Sequence, residues 1–109
     1  MPTSFLPVSG FELPRFAGVP TFMRLPYVPP DHDDAEMVAV GFIGIPFDTA
    51  TTNRAGARHG PRALRDASTM VRQIHPTHGL NPFEQVNCAD MGDVAVNPVD
   101  VDETLARVT

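Results

Sequence analysis

Glu36-Met37-Val38-Ala39-Val40-Gly41-Phe42-Ile43-Gly44-Ile45-Pro46-Phe47 is the stretch on which the reading of this 109-residue chain turns. It is apolar on both faces, short, partly β-branched and stopped by Pro46, the pattern of a fully buried parallel strand. A buried helix is the rival, disfavoured by the two glycines and by the length. Downstream, Asp48 to Gly60 is a loop of Thr, Asn, Gly and Arg. Gly60-Pro61 then opens a helix, with proline suited to the first turn. Ala63, Leu64, Ala67, Met70 and Val71 recur at three- and four-residue spacing and give it one apolar face, so the helix should run to Arg72 or Ile74. His75 to Gly79 is a turn that Asn81-Pro82-Phe83 continues. Gln85 to Asp90 reads as a second, weaker strand closed by Met91-Gly92-Asp93. Asp100 or Asp102 can cap a last helix from Glu103 onward. The order is strand, helix, strand, start of helix: one βαβ unit, the opening of an α/β sheet. Two strands and one complete helix cannot cover both faces of such a sheet, so the domain reads as incomplete.

Upstream, residues 1–36 read as a proline-rich arm distinct from the α/β portion at 37–109. Seven of the twelve prolines fall there, too many for a helix or an interior strand. The arm also carries Phe5, Leu6, Phe11, Leu13, Phe16, Phe22, Met23, Leu25 and Tyr27. So many large apolar anchors point to packing in a groove, on its own domain or on a neighbouring subunit.

Charge and composition exclude several classes. Eight basic against 13 acidic residues give a net charge of -5, which argues against a nucleic-acid or anionic-membrane surface. All eight basic residues are arginines, the type that pairs with carboxylates in bidentate fashion. The longest apolar run is too short to span a bilayer, and no signal peptide is seen at the N-terminus. Cys88 is the single cysteine, so no internal disulfide forms and a cytoplasmic setting is expected.

Ligands of open α/β sheets bind beyond the carboxyl ends of the strands. That position selects Asp48, Thr49, Thr51, Thr52, Asn53 and Arg54 after the first strand, and Asp90 and Asp93 after the second. The plainer alternative is that Thr and Asn bond their own loop and Asp48 caps a turn. Arg54, Arg58, His59, Arg62 and Arg65 cluster around a helix start and can clamp a phosphate or carboxylate. The favoured alternative is pairing with the chain's own acids, including Asp66 and Asp93, or with another subunit. Asp31-His32-Asp33-Asp34 has metal-ligand residue types, but it lies in a polar break and reads as a solvated acidic loop. His75 and His78 read as surface residues, because Pro76 breaks the helix that would align them. Cys88 reads as a small buried hydrophobe. Gly41-Phe42-Ile43-Gly44 is no dinucleotide fingerprint, since its glycines lie inside the strand.

The stretch Gly44-Ile45-Pro46-Phe47-Asp48-Thr49-Ala50-Thr51-Thr52-Asn53-Arg54-Ala55-Gly56-Ala57-Arg58-His59-Gly60-Pro61-Arg62-Ala63-Leu64-Arg65 resembles the ureohydrolases, the arginase and agmatinase family. The likeness extends upstream through Pro14 to Pro26 and downstream through Asn81-Pro82-Phe83 and Ala89 to Val94. Its wording is most similar to agmatinase-like hydrolases of guanidino acids, such as guanidinopropionase and guanidinobutyrase. The resemblance implies a three-layer α/β/α sandwich around a parallel sheet. It also implies hydrolysis of a small guanidino substrate, agmatine or a guanidino acid, to urea and an amine. The nucleophile would be a hydroxide bridging two metal ions, usually manganese (Mn2+). Homo-oligomers, trimers or hexamers, packed in part through the arm are implied too. The family's metal ligands lie in Gly-Gly-Asp-His, Asp-x-His-x-Asp and Asp-x-Asp motifs, none of which occurs in these 109 residues. No residue here is therefore expected to be catalytic or a metal ligand, and the chain alone is expected to be inactive. What carries over is Thr52-Asn53-Arg54, a loop near the mouth of the substrate pocket. Ala50 stands where the family's Asp-x-Gly-Thr turn often has glycine, a change in backbone freedom. The alternative function is a non-catalytic interaction module that binds a full-length relative or another partner.

Overall fold

A computed structural model describes residues 4–109. Two parallel strands form its sheet, β1 (Val40–Gly44) and β2 (Cys88–Asp93). Val40 pairs with Cys88, Gly41 with Ala89 and Phe42 with Asp90, and a register shift before Gly44 brings it opposite Asp93. Between the strands runs α1 (Gly60–Ser68), followed by the short α2 (Pro82–Gln85); α3 (Val101–Val108) comes after β2. The expected βαβ order is therefore present.

The helix starts are chemically explicit. Pro61 sits in the first turn of α1. Asn81 Oδ1 accepts from the Phe83 amide, and Asp100 Oδ1 accepts from the Glu103 amide, so each satisfies an otherwise orphaned donor. The α1 stop is explicit too, and earlier than the Arg72 or Ile74 that periodicity suggests. Ser68 Oγ donates to the Arg65 carbonyl and Thr69 Oγ1 donates to the Asp66 carbonyl, competing with the helical ladder. Met70 and Val71 then turn on three-residue bonds to Ala67 and Ser68.

The proline-rich segment lies along the outer edge of β2. The Val28 amide donates to the Asp90 carbonyl at 2.9 Å, and the Asp90 amide donates to the Pro26 carbonyl at 3.0 Å. With one edge on β1 and the other on this segment, Cys88, Ala89 and Asp90 are buried. Phe5 and Val28 pack with Ala89 in one small core; Leu25 and Phe83 pack with Cys88 in another. Phe22 reaches the sheet as well, its ring centroid 4.5 Å from that of Phe42. Each buried aliphatic or aromatic anchor contributes about 1.5–3 kcal/mol. Phe11 and Phe16, by contrast, stand fully out in solvent.

Two sequence expectations change here. β1 is not buried: Val40 and Ile43, with Ile45 just after it, are exposed, and among the described residues its second edge is unpaired as well. The apolar stripe of α1 is also open, with Leu64 and Met70 exposed. What α1 turns inward instead is polar, Arg65 and Ser68. The Ser68 hydroxyl accepts from the Met23 amide at 2.8 Å and so holds a turn in which Met23 and Arg24 both have left-handed backbone, φ 53° and 58°.

Candidate functional site

The loop after β1, the start of α1 and the end of β2 converge beyond the carboxyl ends of both strands. Between them lies a cavity of about 320 Å³ lined by Pro46, Phe47, Asp48, Thr49, Arg58, His59, Arg62, Asp93, Val96 and Pro98. A wider cleft of about 880 Å³, reaching to Tyr27 and Thr21, shares His59, Arg62 and Asp93 with it. This is the place where an open α/β sheet binds ligands.

Two carboxylates organise the walls. Asp48 has a side chain only 1% exposed. Its Oδ2 accepts from the Gly56 amide at 2.6 Å and the Arg58 amide at 3.4 Å, while Oδ1 accepts from Arg58 Nε at 2.6 Å. The Gly56 amide and the Arg58 guanidinium hold this carboxyl below the usual carboxylate range, against the opposing effect of burial. The same residue's carbonyl accepts from Thr51 Oγ1 at 2.5 Å and from the Thr51 amide at 3.2 Å. Both ends of the loop thus hang on Asp48.

Asp90 is the second. Arg65 grips it in a fork, Nε to Oδ2 at 2.7 Å and Nη2 to Oδ1 at 3.1 Å, and extends Nη1 to Asp93 at 2.7 Å and Nη2 to the Gly92 carbonyl at 3.0 Å. The Phe22 and Gly92 amides also donate to Asp90. Burial works to raise the Asp90 carboxyl, and Arg65 with the two amides outweighs it, so the group lies below its ordinary value. Asp90, with Asp93 behind it, raises Arg65 in turn. One guanidinium therefore ties α1 to the end of β2, and one carboxylate ties both to the turn around Phe22.

The expectations for the arginine cluster resolve residue by residue. Arg58 and Arg65 pair with the chain's own acids. Asp93 is one expected partner; Asp66 is not used, and Asp90 takes the main role, which sequence reasoning missed. Among the described residues the side chains of Arg54 and Arg62 have no hydrogen bond or ion pair. Thr52, Asn53 and Arg54 form the exposed tip of the loop, and with Ala55 they make no hydrogen bond to the rest of the described chain. Ala50, at the position noted for its backbone freedom, has φ 70°. Cys88 is buried, and burial raises its thiol. His75 and His78 stack on each other, ring centroids 4.7 Å apart, in an exposed turn.

Among the described residues no three His, Cys, Asp or Glu side chains converge as a metal site. Asp31 to Asp34 lies in a turn before β1, exposed except for the half-buried Asp34, in which His32 Nδ1 accepts from the Asp34 amide. The carboxylates nearest the cavity are engaged: Asp48 with Arg58, and Asp90 with Arg65, which also reaches Asp93. A pair of metal ions does not fit the donor set present here.

Fold and site together define the opening βαβ unit of a parallel α/β sheet, with its cleft at the carboxyl ends of the strands. The family model described as the arginase family matches residues 38–109, and the chain belongs to that family. It is 47% identical over 102 residues to guanidinopropionase of Pseudomonas aeruginosa, covering 94% of this chain and 31% of that protein. Guanidinobutyrase of the same organism is 43% identical over 101 residues, covering 91% and 31%. Among solved structures, proclavaminate amidino hydrolase from Streptomyces clavuligerus superposes with a TM-score of 0.76 at 37% identity, covering 86% of this chain and 30% of that one. The chain thus spans about 31% of the length of the relatives it matches.

Proposed function

We propose that this chain is the N-terminal portion of a metal-dependent ureohydrolase that cleaves a linear guanidino compound to urea and an amine. A guanidino acid is the substrate favoured over agmatine. The observation that carries this reading is the 47% identity to guanidinopropionase, maintained over 94% of the chain. Residues 1–36 are an arm on the α/β portion at 37–109. The arm serves subunit packing in a homo-oligomer, a role that the exposed Phe11 and Phe16 rings suit. Thr52, Asn53 and Arg54 stand at the mouth of the substrate pocket, a role carried over from the family resemblance.

In this reading the ligands of the two manganese ions that the family resemblance implies lie in Gly-Gly-Asp-His, Asp-x-His-x-Asp and Asp-x-Asp motifs, which residues 1–109 lack and a further portion of the hydrolase supplies. This portion would also cover the open edge of β1 and the exposed stripe of α1, and without it the chain is inactive. A cytoplasmic location accords with a single buried Cys88 that is free of any disulfide; no helix among the described residues is long and apolar enough to cross a membrane. The exposed apolar surface on β1 and α1 also suits a second reading, a short module that docks on a full-length relative.

Urea release tests the two readings. The 109-residue chain and the hydrolase that carries it are each assayed with guanidinopropionate, guanidinobutyrate and agmatine, with and without manganese. Metal-dependent urea release by the hydrolase alone is expected. Release by the 109-residue chain overturns its inactivity, and no release by either overturns the hydrolytic reading.

A further inference from the structure

The loop that joins β1 to α1 has an unusual economy of attachment. Every residue from Thr51 to His59 is exposed, and the tip from Thr52 to Ala55 makes no hydrogen bond to the described chain. Its path is nonetheless defined, because both limbs end on Asp48. On the departing limb the Asp48 carbonyl takes the Thr51 amide and hydroxyl. On the returning limb the Asp48 carboxylate takes Gly56 and Arg58. Two left-handed residues lie inside this clasp, Ala50 at φ 70° and Gly56 at φ 135°. An alanine held there is strained, so the surrounding contacts, not its own preference, fix it.

Asp48 cannot itself meet a substrate. Its side chain is 1% exposed, and both oxygens are occupied by donors from the loop. Its reach is indirect: it holds both limbs of the loop that carries the tip. We propose that Asp48 is the positioning residue of the 49–58 loop, and that by fixing the Thr52-Asn53-Arg54 tip it sets which length of guanidino acid the hydrolase accepts. This rests on the reading of that tip as the mouth of the substrate pocket. Chain-length discrimination is a matter of placing a wall: a loop displaced by about 1 Å can change turnover of a bound substrate up to about a hundredfold, while one methylene is worth about ten- to two-hundredfold.

The test uses the hydrolase that carries residues 1–109, as wild type, Asp48→Asn and Arg58→Gln. Asp48→Asn keeps an oxygen for the Gly56 amide but sets an NH₂ group against Arg58 Nε. Arg58→Gln leaves the carboxylate on its two amides. Hydrogen exchange reads the Gly56 and Arg58 amides, and steady-state kinetics reads guanidinopropionate against guanidinobutyrate. Asp48→Asn should speed exchange at Gly56 and Arg58 about tenfold or more. It should also change the ratio of kcat/KM between the two acids by about fivefold or more. Arg58→Gln, which keeps the amide bonds, should fall between Asp48→Asn and wild type on both readouts. Unchanged exchange in Asp48→Asn overturns the clasp. Faster exchange with an unchanged ratio of kcat/KM overturns the link from clasp to substrate choice. If wild type itself releases no urea, the hydrolytic reading fails and takes the selectivity role with it, while exchange still decides the clasp.

Discussion

Replacing Arg65 by Met keeps the length and apolar stem of the side chain and removes four hydrogen bonds, two to Asp90, one to Asp93 and one to the Gly92 carbonyl. The decisive loss is at Asp90. Its side chain is 2% exposed, and it would keep its charge with only the Phe22 and Gly92 amides as donors. Removing one partner of a buried pair costs about 3–5 kcal/mol, since the other charge is left uncompensated. The Asp93 bond adds little, because that carboxylate is 41% exposed. Arg107 is the internal control: it pairs with Glu103 one turn away on α3 and donates to the Ala95 carbonyl, all at exposed positions. Arg107→Met should cost only about 0.5 kcal/mol, since water replaces exposed bonds. Urea unfolding followed by circular dichroism reads the difference. With a slope of about 1–2 kcal/mol per molar, the Arg65→Met midpoint should fall by about 2–3 M and the Arg107→Met midpoint by less than about 0.5 M. Equal midpoints for the two variants would refute the claim that Arg65 and Asp90 hold α1 to the sheet.

Three further outcomes follow from the same contacts. Ala50→Gly should raise stability by about 0.5–1 kcal/mol, because relief at φ 70° exceeds the extra freedom gained by the unfolded chain; a lower melting temperature counts against the left-handed assignment. Both Asp48 and Asp90 have folded-state values below their ordinary ones. Their stabilisation is therefore complete above about pH 5 and is lost as pH falls from about 4 through the folded-state values. Urea midpoints taken from pH 7 down to pH 3 should drop steeply at the acid end, and Asp90→Asn should flatten that drop. Cys88 is 4% exposed, with its thiol raised by burial, so a thiol reagent at pH 8 should label it only on unfolding; rapid labelling of the native chain would show that the β2 core is open.

Local chemistry was legible in the sequence wherever a residue acts on its near neighbours. The start of α1 at Gly60-Pro61 and the βαβ order were readable that way; of the two caps the sequence offered, Asp100 and Asp102, Asp100 is used, and α3 starts at Val101, ahead of the expected Glu103. Asp48, too, was legible as the acceptor that caps its own loop. Long-range pairing was not. Asp66 and Asp93 were among the acids expected to meet the arginines, whereas Asp90 was singled out only for its place at the end of the second strand, and its pairing with Arg65 depends on the fold bringing α1 to it. The one sequence signal was a carboxylate inside a buried strand, which needs a cation. Burial of β1 was overestimated, because its apolar pattern reports the neighbours that the strand is built for and the described residues supply only one. The early stop of α1 at Ser68 escaped periodicity, since Met70 and Val71 keep the helical spacing while the Ser68 and Thr69 hydroxyls end the ladder.

The most direct measurement is to read the coding DNA beyond the Thr109 codon and express the frame it opens. A frame that continues into Gly-Gly-Asp-His, Asp-x-His-x-Asp and Asp-x-Asp motifs, about two further lengths of this chain by comparison with its relatives, is the expected result. A stop codon directly after Thr109 would contradict the claim that these residues open a guanidino hydrolase, and would leave the docking module as the reading to pursue.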